Sequence, residues 1–151
     1  MNVVSRLSGI EETDDTLKPA IGIELATDGG FSSAFTYWGR NFGPVVEKRY
    51  LLSFFNKFSP FKSKRLLASL GGAVLHEITT ISYDEPYTFY AAEDIEWNLG
   101  LQFGIYFKII ESKSFVFESH WESAVFPAGY SSILLVTGRK QTLGLSLGVS
   151  I

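Results

Sequence analysis

His120, Glu122 and Ser123, in the run His120-Trp-Glu-Ser123, are the residues of this chain whose types could do covalent chemistry: an imidazole base, a carboxylate and a hydroxyl. Hydrolysis by such a set needs the hydroxyl within hydrogen-bonding reach of the imidazole. The surrounding stretch alternates, with Phe115, Phe117 and Trp121 on one face and Val116, Glu118, His120 and Glu122 on the other. His120 therefore shares a face with carboxylates and has no adjacent nucleophile there. The alternative for this histidine is a structural pairing with Glu118 or Glu122. The second histidine, His76, is distant, and two separated histidines with no cysteine predict no metal site. No glycine-rich phosphate loop is present, and no cofactor is expected. The acidic run Glu11-Glu-Thr-Asp-Asp15 reads as a solvated loop, with divalent-cation binding as its functional alternative.

The other ionisable groups with a regular placement are Glu24, Glu47, Glu96, Arg40, Arg49 and Lys108. With Glu118, His120 and Glu122 they fall on the less apolar face of alternating segments. The elements behind them are strands, because a strand sends successive side chains to opposite sides. Gln141 to Ile151 gives the clearest case. Leu143, Leu145, Leu147, Val149 and Ile151 share one face, while Thr142, Gly144, Ser146, Gly148 and Ser150 share the other. A soluble strand would carry Lys, Glu or Arg on its wet face. A greasy face against lipid and a small polar face inside a narrow barrel predict this composition.

Ile95 to Ile109 repeats the pattern, with eight apolar side chains from Ile95 through Trp97 and Phe103 to Ile109 on one face. A transmembrane strand needs roughly 9–11 residues, so this one spans and protrudes. Lys18–Thr27 and Phe31–Arg40 follow, joined by the hairpin turn Thr27-Asp-Gly-Gly30. Val46–Phe58 is less regular, Arg65–Glu77 loses parity near Gly71-Gly72, where a β-bulge is expected, and Asn2–Ser8 is a short first strand. About eight strands result, the smallest usual membrane barrel. Thr27–Gly30, Asn56–Lys64 and Glu111–Ser114 become short turns on one side. Gly9–Thr16, Asn41–Val45, Ile78–Asp94 and Ser123–Lys140 become loops on the other, the last two long. Aromatic residues should gather in two girdles, Phe31, Phe54, Phe107, Phe115 and Phe117 at the turn rim and Tyr37, Tyr50, Trp97 and Trp121 at the loop rim. Tyr83, Tyr87, Phe89, Tyr90 and Tyr130 in the long loops are the candidate interaction surface, since aromatics supply binding hot spots. Such apolar segments could equally extend the strands above the membrane.

The chain has 151 residues, which suits one domain spanning 1–151, and aromatics make up 15% of it. A net charge of −3 predicts no broad nucleic-acid surface. No apolar run of about 18 residues exists, so no transmembrane helix is expected. The N-terminus lacks the shape of a signal peptide, so the barrel reading expects one removed ahead of it.

The alternating strand, the turn Glu111-Ser-Lys-Ser114, the next strand and the final Leu-Gly-Leu-Ser-Leu-Gly-Val-Ser-Ile resemble the small eight-stranded outer-membrane β-barrels of Gram-negative bacteria, of the outer-membrane-protein-A or -X type. The resemblance covers residues 94–151 best. It implies an all-β, antiparallel up-and-down barrel in the cell outer membrane, in contact with the bilayer and lipopolysaccharide. It also implies delivery by the barrel-assembly machinery, which in that family reads the last strand; Ser146, Gly148 and Ile151 match its polar–glycine–apolar order, although the family usually ends in Phe or Trp. The function expected is structural or surface-interacting, with a salt-bridged interior and an extracellular partner that the sequence does not name. Two alternatives remain. His120-Trp-Glu-Ser123 lies where the lipid A 3-O-deacylase barrels, which it resembles in length, carry a His-x-Ser-Asn run, although Glu122 occupies the place of their nucleophilic serine. A soluble calycin-like barrel would instead turn its aliphatic face inward around a greasy ligand.

Overall fold

A computed structural model describes residues 1–11, 17–85, 88–112, 114–127 and 136–150, and the side chains of 1–9, 18–82, 92–112, 114–126 and 142–149. Eight strands run β1 Asn2–Glu11, β2 Leu17–Ala26, β3 Phe31–Phe42, β4 Val45–Phe58, β5 Leu66–Glu85, β6 Thr88–Glu111, β7 Phe115–Pro127 and β8 Val136–Ser150. Each pairs antiparallel with its sequence neighbour, and β1 pairs with β8 to close the barrel. Closure leaves no open sheet edge around the circumference, which is what a sheet in lipid requires.

The orientation of the two faces is settled by Leu145, Phe103 and Trp97, which are 47%, 39% and 67% exposed on the outside of the wall. A ligand-holding barrel of the calycin kind would have buried them, so that alternative is excluded. Ile21, Ile23, Leu70, Leu99, Leu101, Leu143 and Leu147 join them in an apolar outer band. No helix among the described residues is long and apolar enough to cross a membrane.

Inside, Glu24, Arg6 and Glu122 are buried together with aromatic and aliphatic side chains. Ala20, Trp38, Leu51, Ala73, Leu75, Ala124 and Phe126 form one apolar cluster toward the loop end. Ala34, Phe55 and Tyr106, with Leu67 against them, form a second toward the turn end. The interior is therefore mixed rather than purely polar. An eight-stranded wall encloses just enough room for side chains, and these rings occupy it.

Three details depart from the sequence-based expectations. The bulge expected at Gly71-Gly72 is absent, since β4 and β5 pair without interruption from Val45–Ile81 to Phe58–Ala68. Parity only seemed lost there because the inward face of β5 carries apolar Leu67, Ala73 and Leu75. Gly71 serves close approach instead: a Cβ on it would stand 1.9 Å from the Phe54 carbonyl oxygen. The register shifts lie on β6 between Lys108 and Ile110, against β7, and on β8 between Val136 and Gly138, against Phe126–Pro127 of β7.

Second, Ile78–Asp94 is not a loop. β5 and β6 stay paired as far as Glu85–Thr88, so the hairpin stands above the rest of the wall. β4 accompanies β5 only to Ile81, and among the described residues β7 pairs with β6 from Leu101. Ser123–Lys140 likewise begins and ends as strand, in β7 and β8. Third, β1 reaches Glu11 rather than stopping near Ser8.

One corner of the wall is less tightly joined. β2 extends up to Leu17 and β3 to Phe42, yet their ladder ends at Ile21–Tyr37. Pro19, which has no N–H to donate, lies in the part of β2 beyond that point. A cleft of about 500 Å³ opens there, lined by Pro19, Ile21, Tyr37, Trp38, Gly39 and Arg40 among others.

Candidate functional site

The interior polar groups form two ion-pair systems. In the first, Arg6 on β1 binds Glu122 on β7 through Nη2 and lies with Nε 3.9 Å from Glu24 on β2. Lys57 on β4 pairs with Glu24 at 2.8 Å and with Glu118 on β7 at 2.9 Å. Tyr106 on β6 donates its hydroxyl to Glu122, and the Lys57 ammonium stands 4.0 Å over the Tyr106 ring. Charges removed from water are tolerated when each has partners, and this group links five strands through its pairs.

Neither Arg6 nor Lys57 was among the lumen residues read from the sequence. Arg6 lies in the strand whose outer face includes Ser5, so its alternation is faint. Lys57 closes a β4 face that runs Glu47, Arg49, Leu51, Ser53, Phe55, Lys57, where Leu51 and Phe55 disguise the inward side.

The second system sits nearer the loop end. Arg40 Nε donates to Glu47 at 2.6 Å and its Nη2 to the other carboxylate oxygen at 3.2 Å. Arg49 bridges Glu47 at 3.1 Å and Glu77 at 2.6 Å. Glu77 is a further member that sequence reasoning missed.

Glu96 needs correction. It has inward parity and pairs across from Glu77, but it is exposed and stands above the level of the interior ion pairs among the described residues. Lys108 is half-buried at the turn rim, where it binds Glu111 at 2.5 Å.

The candidate hydrolytic residues do not converge. His120 is buried in the interior, sharing hydrogen bonds with Ser146 Oγ at 2.8 Å and Ser8 Oγ at 3.3 Å. Ser123 belongs to the opposite face, with Trp121 and the cross-strand Phe103, and is itself fully covered. Glu122 is held by Arg6 and Tyr106. The His120 imidazole and the Ser123 hydroxyl thus lie on opposite faces of β7.

On the outside, four rings form a ladder across four adjacent strands at the loop end. Tyr37 and Tyr50 lie 5.2 Å apart, Tyr50 and His76 5.8 Å, and His76 and Trp97 3.9 Å. Each is the direct cross-strand partner of the next. His76 shares a hydrogen bond with the Glu96 carbonyl oxygen at 3.3 Å, which fixes its ring. At the turn end Phe31, Phe54, Phe107 and Phe115 are exposed. Of the loop-surface candidates, Tyr83, Phe89 and Tyr90 have their backbones in the β5–β6 hairpin while their side chains lie outside the described residues. Tyr87 and Tyr130 lie outside them altogether, as do residues 12–15 of the acidic run.

No protein-family model and no curated protein matches this sequence. The fold has solved counterparts. The N-terminal β-barrel domain of Pseudomonas aeruginosa OprF superposes with a TM-score of 0.56 at 14% identity, covering 98% of this chain and 96% of that one. Ail, the attachment invasion locus protein of Yersinia pestis, gives 0.57 at 12% identity over 98% and 94%. Neisserial surface protein A gives 0.55 at 10% identity over 99% and 95%. All are small outer-membrane barrels, and this chain shares their eight-stranded, closed, antiparallel fold.

Proposed function

We propose that this chain is an integral outer-membrane protein that anchors a surface-interaction element, the upper β5–β6 hairpin, on a sealed barrel. One observation carries the proposal: β5 has 20 residues and β6 has 24, far more than the roughly 9–11 that cross a bilayer. The surplus stands on the side of the long connections, which faces the cell exterior in such barrels. Its β5 edge, from Tyr83 to Glu85, has no β4 ladder beside it. An open edge offers backbone donors and acceptors to a partner strand, and exposed Glu93, Asp94 and Glu96 offer acceptor side chains. The name of one fold neighbour, an attachment invasion locus protein, points the same way.

The interior supports an anchor rather than a channel, because ion pairs and buried rings fill it. The test is a pair of host strains, one displaying the whole chain and one in which residues 82–91 are replaced by a two-residue turn. Adherence to a panel of cell and matrix surfaces should fall in the second strain while the amount of heat-shiftable barrel stays equal. Equal adherence of both strains, or none above the empty host, would reject the role.

A further inference from the structure

We propose that the outer wall along β5 carries a binding site for one acyl chain of a phosphorylated glycolipid of the outer leaflet, with the lipid phosphate held by Lys48. The proposal rests on the membrane orientation given above.

A groove of about 510 Å³ runs down this wall, within the size range of small-ligand sites. Phe35 on β3 with Tyr50 and Leu52 on β4 form one bank and Trp97 on β6 the other, with Val74, His76 and Ile78 as its floor. Val74 is the narrowest of the floor residues, and the next outward position below it is Gly72. A Cβ built on Gly72 would meet only the Gly100 carbonyl oxygen, at 3.8 Å. Gly72 thus leaves one open position below the groove, between Phe54 on β4 and Leu101 on β6 and above Leu70. A groove whose floor narrows to Val74 and opens onto Gly72 has room for an extended hydrocarbon segment laid along the strands.

The top of the groove is charged. Lys48 is the direct cross-strand partner of Ile78, faces outward and is exposed. No carboxylate among the described residues pairs with it. It stands one outward position above the Tyr50–His76 step of the ring ladder, so a cation caps an aromatic-walled apolar groove at the height where headgroups begin. The hydrophobic effect does not favour the groove over the surrounding lipid, because both are apolar. Selectivity must come from close packing and from the ammonium–phosphate contact, which is charge-assisted. Exposed Glu93, the outward position above Ile95 on β6, rises beside this point. A carboxylate acceptor near a single cation fits a headgroup rich in hydroxyls that also carries phosphate, and fits a purely anionic headgroup poorly.

Native mass spectrometry of the refolded chain, released from micelles supplemented with lipid A, dephosphorylated lipid A or phosphatidylglycerol, tests this. Wild type should retain lipid A about tenfold more than either comparison lipid, the size of one charge-assisted contact. Lys48→Gln should abolish the preference for the phosphorylated form. Gly72→Leu should lower retention of lipid A about tenfold while leaving the heat-induced gel shift intact, because the new side chain fills the open position below the groove and not the wall. Equal retention of all three lipids, phosphatidylglycerol held as well as lipid A, or an unaffected Gly72→Leu variant would overturn the site. A wild-type chain with no heat-induced shift would instead count against the membrane-barrel reading beneath it.

Discussion

Lys57 Nζ on β4 and Glu24 Oε1 on β2 lie 2.8 Å apart although β3 runs between their strands. They meet because β3 presents Ser32 and Ala34 to the interior at that level, and both are too small to keep them apart. Lys57 also binds Glu118, from the far side of the barrel. One ammonium thus holds two carboxylates from opposite parts of the wall.

Lys57→Met should therefore be costly. It leaves Glu24 and Glu118 without this shared cation, and breaking a buried pair in this way costs about 3–5 kcal/mol. Urea titration of the folded chain in micelles, followed by tryptophan fluorescence, measures the loss. Adding Glu118→Gln to the variant should recover part of it, because one abandoned charge is then gone.

Gly71→Ala should destabilise the barrel by about 3 kcal/mol, the upper end for overpacking. The methyl would fall 1.9 Å from the Phe54 carbonyl oxygen and 2.5 Å from Phe55 Cα, both backbone atoms that cannot swing aside. Gly72→Ala, one residue on and facing outward, should fall within the small range of ordinary surface changes. The same titration compares the two, and equal costs would contradict the assignment of their faces.

These glycines also mark how much the sequence disclosed. Strand parity in β2, β6 and β8 was plain, because each has an apolar outer face and mostly small or polar inner residues, and β3 followed although Ser33 interrupts its outer face and Trp38 its inner one. It failed on β4 and β5, where Leu51, Phe55, Leu67 and Leu75 point inward. Alternation reports orientation only when the two sides meet different surroundings, and an interior holding both Trp38 and Glu24 removes that difference. The ion pairs were less legible still. Most of the acids were visible, but Arg6, Lys57 and Glu77 were missed, and the pairings depend on strand tilt and on which intervening residues are small. Hairpin height was hidden for another reason: alternating apolar residues continue past the membrane without a change of pattern.

The filled interior predicts electrical silence. Trp38, Phe55 and Tyr106 are buried inside, and the ion pairs occupy space beside them. In planar bilayers the refolded chain should show no steady conductance at moderate voltage. Persistent open steps in a preparation that also shows the heat-induced gel shift would contradict this packing.

Separation of His120 from Ser123 predicts chemical inactivity toward the lipid around it. Expression in a Gram-negative host should leave the lipid A mass spectrum unchanged, and His120→Ala should alter only stability, through loss of its contacts with Ser8 and Ser146. Loss of an acyl chain dependent on His120 would show that a catalytic pair assembles elsewhere.

The unstitched corner beside Pro19 fixes where dismantling starts. A cylinder of antiparallel strands must part along some seam, and the lines joining other neighbours are stitched over longer runs than the one between β2 and β3. Deuterium should enter the amides of residues 38–42 before those of residues 50–56, and denaturant should peel β1 and β2 away from β3 while β4, β5 and β6 still hold together.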